Sequence, residues 1–122
     1  MKATVLFGHG SRDPAWRIPI ERVAKRMLEI DADCLVRCAF LELTEPDLNV
    51  VSAELAAAGV MQITIVPMFL GVGRHAREDL PLLVTELRNT YPTIAFVLRP
   101  SVGEDPGVIE MLANLSLTAP CS

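Results

Sequence analysis

The stretch KATVLFGHGSRDP, residues 2–14, changes structural character twice within a few residues. Lys2 to Phe7 is a β-branched and apolar run, the pattern of a buried strand. Asp13-Pro14 reads as an N-cap followed by proline at the first helical position. Between them Gly8 and Gly10 flank His9, one of only two histidines in the chain. Glycine leaves a bare backbone that turns sharply and admits close approach. A strand therefore hands over to a helix through a loop that another molecule can reach.

The same grammar continues downstream. Ile20, Val23, Ala24, Met27 and Leu28 fall on one helical face, with Pro19 predicting an irregular start that becomes regular near Ile20. Leu35–Leu41 reads as a second strand leading into ELTEPD. A helix follows from about Asp47, carrying Leu48, Val51, Leu55 and Ala58 on one face and stopping at Gly59. Val60–Val66 is the third strand, followed by the loop GVGRHARED (71–79) and a helix aligning Leu80, Leu83, Val84 and Leu87. Ile94–Leu98 is the fourth strand, and Asp105-Pro106 opens a last helix with Ile109, Leu112 and Ala113. Residues 1–116 are expected to form one domain and 117–122 a frayed tail.

Strand and helix thus alternate four times, and the strands are continuous apolar runs. That pattern predicts an α/β fold with a parallel sheet covered by helices on both faces. Right-handed crossovers favour a doubly wound four-stranded sheet in the order 2-1-3-4. Strands 1 and 3 are then neighbours whose crossovers leave to opposite faces, a switch point where ligands gather at the carboxyl ends.

Composition narrows the function. A chain of 122 residues with 51% hydrophobic and 21% charged residues has the make-up of one ordinary globular domain. Its net charge of −4 supplies no basic field for nucleic acid. The richest apolar stretch, ITIVPMFLGV, is broken by Thr64 and Pro67 and falls short of a membrane span. MKATVLF runs straight into the glycine loop with no cleavable apolar segment. Cys34, Cys38 and Cys121 cannot all pair and form no C-x-x-C motif, so reduced thiols in a cytoplasmic protein are expected.

The chemistry gathers at the predicted switch point. His9 follows strand 1 and His75 lies in the loop after strand 3, at the same edge of strands ~4.8 Å apart. Glu42 follows strand 2 on the other side of strand 1, so two imidazoles and a carboxylate are expected to converge on one crevice. Such a set suits a borderline divalent ion such as cobalt, nickel, iron or zinc, and imidazole also serves as a base near neutral pH. No H-E-x-x-H helix or cysteine cage is present, which argues against a structural zinc. Arg12, Arg74 and Arg77 crowd the two histidine loops and suit carboxylate recognition, with solvated surface as the plain alternative. Trp16 offers a flat face to a planar ligand or simply packs a helix. GHGSR could instead form an anion nest, but no P-loop or G-x-G-x-x-G motif accompanies it, and HGS lacks the G-x-S-x-G elbow of a hydrolase.

VLFGHGSRDP, AFLEL, ITIVPMFLGVGRHAREDLP and RPSVGEDPGVIEML together resemble the CbiX/SirB-type class II tetrapyrrole chelatases in their short, single-domain form. The resemblance covers nearly the whole chain, and implies a chelatase-like half domain. It implies insertion of a divalent metal, without ATP or another nucleotide, into sirohydrochlorin, an acidic tetrapyrrole. Cobalt is the first expectation, with nickel and iron as further substrates. The matching motifs carry metal-binding and catalytic roles to His9 and His75, and an assisting acidic role to Glu42. Ser11, Arg12, Arg74 and Arg77 are the expected substrate contacts. Some short members carry a histidine-rich loop, whereas this chain has only its two motif histidines, so no metal reservoir is expected. A non-catalytic carrier of metal or tetrapyrrole is the competing reading. Because one small domain offers a flat tetrapyrrole a single wall, a homodimer sharing one cavity is expected.

Overall fold

In a computed structural model that describes residues 1–118, strand and helix alternate throughout. The elements are β1 (Lys2–Gly8), α1 (Ile18–Ile30), β2 (Val36–Phe40), α2 (Leu48–Ala57), β3 (Gln62–Pro67), α3 (Arg74–Thr90), β4 (Ala95–Leu98) and α4 (Pro106–Leu117). Short 3-10 turns at Pro14–Arg17 and Val102–Glu104 precede α1 and α4. The sheet is wholly parallel in the order β2-β1-β3-β4. No helix among the described residues is long and apolar enough to cross a membrane.

Local chemistry accounts for the element starts. The Asp13 carboxylate accepts the Ala15 N–H at 3.0 Å, and Pro14 opens the 3-10 turn behind it. Pro19 then sits in the first turn of α1, where its missing N–H costs nothing. Asp47 caps α2 through Val50, and Asp105 caps α4 through Gly107 and Val108.

The two faces of the sheet are filled unequally. Val5 and Phe7 of β1 and Ile63 and Ile65 of β3 pack beneath α2 and α3, which add Val51, Leu55, Val84 and Leu87. On the other face Leu6, Val36 and Phe40 pack against Ile20 of α1 and Trp16. This division follows from right-handed crossovers: the chain moves one way across the sheet through α1 and the other way through α2 and α3. The reversal between β1 and β3 is the switch point. Helix α4 buries none of its residues, and Ile109, Met111 and Leu115 remain exposed.

One expectation needs correction. Residues 74–79 are not loop: α3 begins at Arg74, so His75, Arg74 and Arg77 stand in its first turns. Ala76 and Leu80 are buried in line with Val84 and Leu87, which draws the helix back over the sheet. An Arg74–Glu78 pair at 3.1 Å spans the first turn. Pro81 lies inside the helix and forgoes only the bond to the Arg77 carbonyl. Helix α4 continues through Leu117, the first residue of the expected tail. Residues 119–122 of that expected tail, Cys121 included, lie outside the described residues.

Cys34 and Cys38 are free thiols. At Cys38 burial, first, and the Glu21 carboxylate, second, push the thiol above its ordinary value, and Arg17 offsets them in part. The fold therefore favours the protonated thiol. That contribution to stability is complete below the unfolded chain's thiol value and is lost as pH rises through the folded one. Alkylation of Cys38 by iodoacetamide, followed by peptide mapping across pH, should have its midpoint above that of free cysteine. A midpoint at or below free cysteine contradicts this placement.

Candidate active site at the carboxyl edge of the sheet

Backbone pairing between β1 and β2 runs on past both strands. Leu41 N–H donates to the Gly8 carbonyl at 2.9 Å, and Glu42 N–H donates to the His9 carbonyl at 3.0 Å. The loop after β2 therefore lies flush against the loop after β1. Gly10 makes this possible: its φ is 106°, and a Cβ there would overlap the Glu42 carbonyl oxygen.

The next residues form a tight turn. Leu43 has φ 64°, and Thr44 N–H donates back to the Glu42 carbonyl at 2.8 Å. This is the positive-φ γ-turn, a rare and strained conformation. The Thr44 hydroxyl in turn accepts the Ser11 N–H at 2.9 Å and donates to the Ser11 carbonyl at 2.7 Å. From the other side, Arg17 stacks on Phe40 at 4.8 Å and donates to the Glu45 carbonyl at 2.9 Å.

The outcome is a contact between side chains 33 residues apart, with His9 Nε2 and Glu42 Oε1 at 2.9 Å. The two side chains are 46% and 56% exposed, so the pair adds at most about 1 kcal/mol to stability. Its effect is orientation. An ionised carboxylate only accepts hydrogen bonds, so the ring donates from Nε2, and the neutral ring keeps its lone pair on Nδ1.

The other expected residues are arranged more loosely. His75 is exposed in the first turn of α3, the helix that follows β3, which is paired with β1. Among the described residues no three His, Cys, Asp or Glu side chains form a group that could hold a metal ion. The expected convergence of three groups is thus a contacting pair, with His75 in the first turn of α3 outside any such group. Ser11 is half-buried, and its hydroxyl oxygen accepts the Asp13 N–H at 3.1 Å. Arg12 is exposed, while Arg74 is engaged by Glu78. Arg77 lines a groove of about 260 Å³ with Phe69, Leu80, Arg99 and Glu104. Glu42 lines a separate depression of about 520 Å³ formed by residues 41–47 and Val50. Leu43 and Leu70, 55% and 71% exposed, are bare apolar residues in the loops after β2 and β3.

Trp16 is half-buried edge-on against Phe40, with ring centroids 5.8 Å apart, which fits the packing reading. Sequence reasoning missed Thr44 and Arg17. Both act on backbone groups about 30 positions away, and no short motif signals such partners.

Comparison with known proteins identifies the family and the fold. The family model CbiX matches residues 3–119. A protein of Methanopyrus kandleri named sirohydrochlorin cobaltochelatase is 38% identical over 84 residues, which are 69% of this chain and 59% of that protein. One of the same name from Priestia megaterium is 29% identical over 92% of this chain but only 36% of its own length. The chain thus spans less than two thirds of these curated relatives. A crystal structure of a putative cobalamin biosynthesis CbiX protein from Marinobacter aquaeolei superposes with a TM-score of 0.83 and 28% identity, covering 97% of this chain and 96% of that one. The sirohydrochlorin chelatase SirB from Bacillus subtilis, solved with cobalt, shares the fold with a TM-score of 0.76 and 24% identity, over 96% of this chain and 50% of its own.

Proposed function

The chain belongs to the CbiX family, and on that premise we propose that it inserts a divalent metal into sirohydrochlorin without a nucleotide. Cobalt is the first substrate metal, ahead of nickel and iron, following the cobaltochelatase name shared by its relatives. The observation that carries the reading is the His9–Glu42 contact at the carboxyl edge of the switch point.

Insertion exchanges two pyrrole protons for one divalent cation. In this proposal Nδ1 of His9 takes a proton from the macrocycle or ligates the arriving metal, and Glu42 stabilises the ring as it becomes positive. His75, at the neighbouring strand edge, performs the complementary task on the same macrocycle. The carboxylate arms of sirohydrochlorin are met by Arg12 and Arg77, by Arg74 once released from Glu78, and by the Ser11 hydroxyl. Leu43 and Leu70 offer apolar contact to the flat ring.

A single open edge leaves most of such a ring in water, and small-molecule sites usually bury most of their ligand. We therefore place a second copy over it, as a homodimer with the histidine edges facing a shared cavity. The Bacillus chain, matched over half its length by nearly all of this one, supports that arrangement. Residues 1–116 act as the working domain, and the protein is placed in the cytoplasm.

The test is metal insertion by the purified protein. Sirohydrochlorin and Co²⁺ are mixed with and without protein, and metallation is followed by absorbance. A rate above the spontaneous reaction is expected, from a species that light scattering shows to be a dimer. Tight binding with an unchanged rate would instead identify a carrier.

A further inference from the structure

We infer that Thr44 is a positioning residue for the His9–Glu42 pair, holding the strained turn that presents Glu42 to the imidazole. This rests on the proposed chelatase reading for its consequence, but on geometry alone for its structural part. The γ-turn over Glu42–Thr44 places Leu43 at φ 64°, a conformation that non-glycine residues rarely adopt. Left unsupported, such a turn relaxes and turns the Glu42 side chain away from the imidazole, although its amide stays bonded to the His9 carbonyl. The Thr44 hydroxyl prevents this by engaging both backbone groups of Ser11, at 2.9 and 2.7 Å. Ser11 lies two residues beyond His9, so one side chain ties the Glu42 turn to the histidine loop itself.

Neighbouring contacts hold other parts of the same loop. Arg17 reaches the carbonyl of Glu45, one residue past Thr44. The Leu41 and Glu42 amides bond to Gly8 and His9 on the near side. Only Thr44 crosses from the turn to Ser11. The hydroxyl is required and the methyl is not, since both bonds are made by Oγ1. Serine should therefore replace threonine, and the nearly isosteric valine should not.

The experiment compares Thr44→Val and Thr44→Ser with wild type, and with Glu42→Ala, which leaves the ring no acceptor, as the reference for a broken pair. First, the ¹⁵N shifts of the His9 imidazole are recorded by NMR at one pH, without metal or tetrapyrrole. Thr44→Val should move them toward those of Glu42→Ala, while Thr44→Ser should keep the wild-type shifts. Second, Co²⁺ insertion into sirohydrochlorin is measured. Thr44→Val should lose roughly tenfold or more in kcat with KM for both substrates within about twofold, as expected when a reacting group is misplaced. Thr44→Ser should stay within about twofold of wild type. If Thr44→Val does not fold, Thr44→Ala takes its place in both measurements. Wild-type His9 shifts in the folded variant lacking the hydroxyl overturn the inference, as does wild-type kcat. An inactive wild-type protein would overturn the chelatase reading and leave the NMR result to decide the positioning role.

Discussion

Replacing Gly10 by alanine should lower the melting temperature by roughly 10 °C or more and uncouple His9 from Glu42. Two costs add. At φ 106° an L residue sits in a region that disfavours a side chain by about 1–2 kcal/mol. The new Cβ would also overlap the Glu42 carbonyl oxygen, which is held by the Thr44 amide and cannot yield alone. Forcing the two loops apart is comparable to overpacking a core, about 1–3 kcal/mol. The combined loss of roughly 2–5 kcal/mol is a large share of a small domain's stability. Gly71→Ala is the control, because a Cβ there meets nothing within 4 Å. Thermal melts of the two variants should differ sharply, and a Gly10→Ala melt within about 2 °C of wild type would contradict the close contact of these loops.

That glycine also shows how far the sequence could be read unaided. Gly8 and Gly10 around His9 mark a turn open to approach, and apolar runs mark the strands, because both signals are local. Chain handedness then orders the sheet, and adjacency in that order brings Glu42 to the His9 side of the edge. Direction within the edge is another matter. Gly-Val-Gly-Arg-His reads as loop on composition, yet burial of Ala76 and Leu80 beneath the helix pulls the start of α3 back to Arg74. His75 is thereby carried onto a helix, and it stands apart from the contacting pair. Thr44 was invisible for a different reason. Its value lies in two backbone atoms of Ser11, 33 positions earlier, and only the folded loops reveal them.

The largest effect on activity should come from the two histidines. Both are exposed, so replacing either by alanine removes little packing and should leave the fold intact. On the proposed reading, His9→Ala removes the proton acceptor or ligand that Glu42 orients, and it leaves that carboxylate without its partner. His75→Ala removes the second imidazole, in the first turn of the helix that follows the strand paired with β1. General acid–base assistance is commonly worth about 10²–10⁴-fold, so each loss should return the reaction to its spontaneous rate. Glu42→Gln should be milder, because the amide still accepts a hydrogen bond from the ring but no longer balances its charge. The most direct test is the initial rate of Co²⁺ insertion into sirohydrochlorin by wild type, His9→Ala and His75→Ala, with circular dichroism of each. The account predicts matching spectra and a rate above background for the wild type alone. Wild-type turnover in either histidine variant, with an unchanged spectrum, would contradict it.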